Sequence, residues 1–564
     1  MMFQLLMVLQ IAQQDPLAPL VVQVSPAVQQ PAPLPAPTVT TSLVISMDWR
    51  AEFAAIRKGD WTGAAAGIGA LPDGPLKAVA KAEFYTARGS PTVNVDELQA
   101  LIGEAPELAQ AEQLERLAAS RGSIQMMAIP ERPVVSLSSA TRRGRAKPVV
   151  GDAVADQVRV TLDPLLKLDS ADAAETLMIQ SAPLMTPEGR AEAGQRVAWS
   201  YYSLGRDADA VRVAEAGRVG ASGDWAVASA WVSGLASWRQ NDCAAAGLRF
   251  REVAGGAREN ELVAGANYWA ARSAQACRQP VAVAPLLRAA ARSPESFYGL
   301  VARETLGMAT SISGPAPADV AAIEALPNVR RAEALVAIGE RAMAEEALRH
   351  QARIGRPADQ RALIAVAQKL DLAGVQYWLA TNGQPGTAVE SAARYPRPRW
   401  TPQNGWRVDP ALAYGHVIQE SNFRERAVSA AGAVGWMQVR PGTAGDTARA
   451  RGAVFDPLSL TEPAINLDYG QSFIELLRQH PATRGQLPRV IAAYNAGPLS
   501  VVRWGAINDH GDPLLWIESI PYWETRYYVP AVMRNMWVYQ GLGGAEQPSL
   551  VALAQHKWPA FPRR

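Results

Sequence analysis

Two cysteines and five histidines in 564 residues leave no material for a disulfide scaffold or a Cys/His zinc cluster. Cys243 and Cys277 stand about one helical repeat apart, which leaves two alternatives: a disulfide between neighbouring antiparallel helices, or two buried thiols. Charge is also sparse. With 19% charged residues and a formal net charge of +2, the chain lacks the basic surface that nucleic-acid binding requires. Asp-rich calcium loops, phosphate-binding Gly loops and dinucleotide fingerprints are missing, so no metal or cofactor is called for. No Lys or Arg precedes Arg50, so the apolar run from Phe3 to Ala12 resembles the core of a secretory signal without its positive start. That run is too short to span a bilayer, and no Cys near it offers a lipid anchor; the expectation is no stable membrane anchor.

What the chain has is helix-forming sequence and enough apolar residues, 48%, to build packed cores. Its length predicts two or more domains. Residues 1–14 read as an atypical signal segment. Residues 15–45 read as a disordered linker rich in Pro, including Pro31–Ala–Pro–Leu–Pro–Ala–Pro37. From about residue 46 to 394, Ala, Leu, Arg and Glu recur at helical spacing with very little strand patterning. Within that region Trp199 to Gly205, Trp231 to Phe250 and Tyr268 to Leu287 recur as helical hairpins at spacings of roughly 30 to 40 residues, the signature of a stacked superhelix with a concave face. A basic run ending in Arg142–Arg–Gly–Arg145 reads as a solvated break between helical parts. Tyr395–Pro–Arg–Pro–Arg–Trp400 marks a boundary, residues 400–545 form a further domain, and residues 546–564 read as a surface tail.

Chemistry concentrates in this later part. Asp409–Pro410 is a helix start, with Asp409 able to accept orphan N–H groups and Pro410 at the first helical position. The helix is expected to run to about Phe423 with Leu412, Val417 and Ile418 on its apolar face. It carries Glu420 among largely uncharged neighbours, where burial raises a carboxyl pKa and keeps a proton available near neutral pH. Gly435–Trp436–Met437–Gln438, Ala493–Tyr494–Asn495–Ala496–Gly497 and Glu524–Thr525–Arg526 follow, supplying the amides, hydroxyls and aromatic rings that suit a sugar substrate. Eight of the sixteen Trp fall from Trp400 onward; such rings suit sugar faces, although each is more readily explained as core.

These four motifs, in this order, resemble the catalytic domain of the soluble lytic transglycosylases over about residues 406 to 539. Glu420–Ser421 is similar to that family's catalytic Glu–Ser pair. Gly435–Trp436–Met437–Gln438 resembles its Gly–Leu–Met–Gln motif with Trp436 in place of Leu, and Glu524–Thr525–Arg526–Tyr527–Tyr528–Val529 resembles its Glu–Thr–Arg–x–Tyr–Val motif with Tyr527 where Gly is frequent. The resemblance implies a mostly α fold: a helical-repeat superhelix, ring or horseshoe, followed by a lysozyme-like α-rich catalytic domain. Ser296–Phe–Tyr–Gly299 with Leu306–Gly307 is similar to the family's join between helical parts.

It also implies cleavage of peptidoglycan glycan strands between N-acetylmuramic acid and N-acetylglucosamine, in the periplasm and by a monomer, with 1,6-anhydromuramic acid as product. Glu420 is then acid and base in turn. Tyr494 is expected to direct its phenol toward Glu420 or a substrate acetamido group, Asn495 and Gln438 to meet N-acetyl groups, and Tyr528 to contact substrate. Met437 is expected to touch the sugar or keep the acid's pocket dry, and Ser421 to orient Glu420 or contact substrate. Glu524 has three open roles: partner of Arg526, substrate ligand or structural ion pair. The readings that compete are a hydrolytic muramidase, which needs a second carboxylate, and a non-catalytic wall-binding scaffold.

Overall fold

Short helices follow one another along most of the described residues. The computed structural model describes residues 48–137, 143–314 and 317–562, and the signal-like and Pro-rich segments lie outside the described residues. Met47–Arg564 form one compact unit. The described residues contain 26 α-helices and a single two-stranded antiparallel ladder, in which Val135–Ser136 pairs with Asn382–Gly383.

The hairpins of the helical region share one turn chemistry. In six of the tight connections a single residue in the left-handed region separates one helix from the next: Asp169, Gly205, Asn241, Arg278, Gly339 and Asp371. Each reverses the chain after the last helical turn, as a C-terminal cap does. The helices Pro187–Ser203, Asp207–Gly217, Gly223–Arg239, Cys243–Gly256 and Asn260–Ala276 then stack in sequence. Gly194 and Gly217 face each other so closely that a Cβ on either would lie 2.9 Å from the other's Cα. Cys243, at the start of one helix, and Cys277, at the end of the next, are disulfide-bonded with Cα atoms 5.6 Å apart.

The superhelix closes on itself through its ends. Arg57 pairs with Glu340 at 2.6 Å, Arg331 with Glu107 at 2.7 Å, and Glu131 with His350 and Arg353. Residues 48–137 are thereby fastened to residues 327–384.

The middle of the superhelix holds the C-terminal part. Arg143, in the run expected to be solvated, instead inserts its guanidinium over Trp231 and pairs with the buried Glu518 at 2.7 Å; Arg142 lies outside the described residues. Tyr298 donates to the other Glu518 oxygen at 2.9 Å, Arg526 stacks 3.5 Å over Trp199, and Phe297 stacks on Trp537 at 5.2 Å. Arg272 pairs with Asp512 at 2.6 Å. The helix Pro548–Ala554 buries Leu550 and Leu553 against the helix Phe297–Thr305, and Ser549 accepts from Trp537 at 2.8 Å.

The disulfide closes a 34-residue separation, for which chain entropy gives roughly 2–4 kcal/mol of stabilisation. Cys243→Ser should therefore lower unfolding stability by about that amount, and wild type under reducing conditions should fall to the same value in a denaturant titration.

Candidate active site

The helix Pro410–Glu420 is capped as its sequence predicts: Asp409 Oδ1 accepts from the Ala411 N–H at 2.8 Å, with Pro410 at the first position. It ends earlier than expected. Asn422 and Phe423 take φ of +52° and +61°, so the chain turns away after Glu420 and the carboxyl sits on the last helical turn. Ser421 is buried, and its hydroxyl donates to the Trp436 carbonyl at 2.8 Å. It locks the end of the helix Pro410–Glu420 to the following turn.

That turn, Gly435–Gln438, is held from behind by Asn466. This fully buried amide accepts from Met437 N–H at 2.7 Å and donates to Val434 and Leu460 carbonyls at 2.8 Å each. Gly435 has φ +77°, and a Cβ there would run into Asn466 and the Leu460 carbonyl. Met437 is fully buried, with its side chain packed against Gly470. Trp436 is core as well, edge-on to Phe423 at 5.3 Å. Gln438 donates to Ala427 and Gly435 carbonyls at 3.1 and 2.9 Å, which commits its NH₂ to the backbone.

Two later helices complete the site. Leu487–Ala496 carries Tyr494 and Asn495, and Trp523–Leu542 carries Glu524 and Tyr528. The Tyr494 hydroxyl donates to the Met437 carbonyl at 2.7 Å, where the sequence suggested Glu420 or an acetamido group. Asn495 accepts from Thr525 at 2.6 Å and donates to Glu524 at 3.3 Å. Arg526 is turned the other way, into the superhelix, so Glu524 is exposed and bonded to Asn495.

Tyr528 is the side chain that touches Glu420. Its hydroxyl donates to Oε1 at 2.6 Å and meets His416 Nδ1 at 2.7 Å. The two helices approach this closely because residue 415 is glycine: a Cβ there would stand 2.9 Å from the Val532 carbonyl. Desolvation is the chief cause that pushes the Glu420 carboxyl up to about 7, with the Tyr528 bond opposing and the charge of Glu524 adding. Burial lowers His416 to about 3, which keeps it neutral, and burial together with the Glu420 charge raises Tyr528 so that it remains a donor. His416 and Asn466 were not singled out from sequence. The available signal for His416 was its place four residues before Glu420, one turn along the same helix face; for Asn466 it was a polar residue on the buried face of its helix, between Ile465 and Leu467.

Residues 401–517 match the family model described as the transglycosylase SLT domain. Among curated relatives, the soluble lytic murein transglycosylase of Escherichia coli K12 is 31% identical over 155 residues, 27% of this chain and 24% of that protein. Membrane-bound lytic murein transglycosylase C of Actinobacillus succinogenes is 36% identical over 118 residues, 20% and 32% respectively. The chain thus spans about a quarter to a third of the length of these relatives. Solved structures extend the likeness in shape beyond the SLT domain. An inactive mutant of lytic transglycosylase Slt from Pseudomonas aeruginosa superposes with TM-score 0.57 at 18% identity, covering 91% of this chain and 88% of that one. The 70 kDa soluble lytic transglycosylase of Escherichia coli gives 0.57 at 16%, covering 92% and 100%. The fold is that of the soluble lytic transglycosylases: a superhelix with a lysozyme-like α-rich SLT domain.

Asn466 is the fastener of the SLT domain's central turn. Asn466→Ala orphans the buried Met437 N–H and the Leu460 carbonyl, and should cost roughly 2–4 kcal/mol in chemical unfolding.

Proposed function

We propose that the chain is a peptidoglycan lytic transglycosylase with Glu420 as its acid and then its base. The observation that carries this reading is the state of Glu420. Its carboxyl is desolvated enough to hold a proton near pH 7, yet it is gripped by one hydroxyl donor able to stabilise the anion once the proton has left. Similarity to murein transglycosylases supports the substrate class.

In this mechanism protonated Glu420 gives its proton to the glycosidic oxygen as the bond from muramoyl C1 to that oxygen breaks, and the 2-acetamido group shields the cation that develops. Anionic Glu420 then removes the proton of the sugar's own C6 hydroxyl while O6 bonds to C1, closing the 1,6-anhydro ring. A tethered hydroxyl has a large effective concentration, which lets it outcompete water. Glu524 is the carboxylate whose charge reaches Glu420. It is exposed and tied to Asn495, which suits a substrate contact better than a nucleophile. The Gln438 carbonyl oxygen and the Asn495–Glu524 edge are the polar groups assigned to the N-acetyl substituents. Residues 46–394 form the superhelical domain in this proposal, residues 400–545 the catalytic one, and the periplasm is where the enzyme works. No described helix is long and apolar enough to cross a membrane.

The test is mass spectrometry of muropeptides released from purified peptidoglycan. Wild type should release products ending in 1,6-anhydromuramic acid, and Glu420→Gln should lose at least about 10²–10⁴-fold in rate with its fold intact. Reducing-end products would make the enzyme a hydrolase; products from neither protein would leave glycan binding as its role. Turnover should fall as pH rises above about 7, because the acid enters the cycle protonated; a rate still climbing to pH 9 would contradict this assignment.

A further inference from the structure

One buried polar group near the acid has no part in the chemistry just described. His416 is completely buried at one helical turn before Glu420, and its Nδ1 lies 2.7 Å from the Tyr528 hydroxyl, which itself lies 2.6 Å from Glu420 Oε1. We propose that His416 is a positioning residue for Glu420, acting through Tyr528 as the far end of a one-directional chain of hydrogen bonds: His416 Nδ1–H to Tyr528 O–H to Glu420 Oε1. The inference rests on Glu420 being the acid and base of the reaction.

The direction of the chain follows from counting protons. A phenol has one, and toward ionised Glu420 it is committed to the carboxylate. The Tyr528 oxygen can then only accept, so Nδ1 must carry the imidazole hydrogen. The opposite tautomer would put a hydrogen on Nε2, which finds no protein partner among the described residues, and would set two lone pairs against each other at Nδ1. The ring is held in this pose by Tyr494, whose ring centroid lies 4.5 Å away. Donation into the phenol oxygen polarises its O–H, and bonds in such a chain strengthen one another. The chain therefore favours the anionic form of Glu420, the form that must pull a proton from the C6 hydroxyl, and fixes one of its two oxygens.

Other titratable groups do not replace this link. From the helix Leu487–Ala496 the facing group is Tyr494, whose proton is spent on Met437. From Trp523–Leu542 they are Tyr528 and, farther out, Glu524, whose charge opposes ionisation. On Pro463–Gln479, Asp468 and Glu475 are engaged by Arg407 and Arg451. The Gly435–Gln438 turn brings none.

The test compares His416→Leu, His416→Asn, Tyr528→Phe and the double variant His416→Leu/Tyr528→Phe. Asn can place a side-chain N–H close to where imidazole Nδ1–H stands, and Leu cannot. The readouts are ¹³C titration of the Glu420 carboxyl, assigned by its loss in Glu420→Gln, and kcat against KM on peptidoglycan. His416→Leu should raise the Glu420 pKa and lower kcat by about ten-fold, the worth of one hydrogen bond, with KM little changed. His416→Asn should restore both, and His416→Leu should add nothing once Tyr528 is Phe. An unchanged Glu420 titration in His416→Leu, an Asn variant that behaves like Leu, or equal Leu effects with and without the Tyr528 hydroxyl would each overturn the proposal. The titration does not depend on turnover. A wrong reading of the reaction would appear instead as an active Glu420→Gln, with the titration shifts intact.

Discussion

The site depends on the close approach of two helices, Pro410–Glu420 and Trp523–Leu542, at Gly415. Without a side chain at that position the backbones come near enough for a phenol on one helix to reach the carboxyl on the other. That contact sets two opposed demands on one residue. Packing strips water from Glu420 and favours its proton; the hydroxyl of Tyr528 offers the anion a replacement for the lost water. A carboxyl balanced between these can release and regain a proton at neutral pH without a partner carboxylate.

The superhelix and the SLT domain are joined by the opposite strategy. Glu518, Arg143 and Tyr298 form a buried polar knot, flanked by Arg526 stacked on Trp199 and Phe297 on Trp537. Charges in such a place cost desolvation energy that their attraction only partly returns, so their contribution is to register more than to raw stability. A shifted docking would leave Glu518 buried and unpaired, which is costly. The aromatic stacks supply the apolar burial that the knot does not.

Much of this was legible in the sequence. The helix start at Asp409–Pro410 and the hairpin character of residues 199–287 follow from local rules of capping and periodicity, and the structure has the same features. The motif residues were recognisable as a group, but the direction of their side chains was not. Met437, Trp436 and Ser421 read as candidates for substrate contact or groove shape and lie in the core or in backbone locks, because the packing partners that cover them, Gly470, Phe423 and the Trp436 carbonyl, are set by tertiary structure. Tyr494 points to a carbonyl for the same reason. Arg143 was misjudged since a basic run looks solvated unless one knows that Glu518, hundreds of residues away, waits beneath it. The Gly and Pro residues of the C-terminal segment punctuate a short helix, Pro548–Ala554, that docking on Phe297–Thr305 stabilises.

The helix Trp523–Leu542 has 20 residues and is therefore about 30 Å long. Near its beginning Arg526 is clamped to the superhelix, next comes Tyr528 on Glu420, and farther along Val532 and Trp537 are seated on the helix Pro410–Glu420 and on Phe297. A stiff rod fastened at several points behaves as a ruler. It ties the position of the Glu420 carboxyl to contacts with the superhelix hundreds of residues upstream.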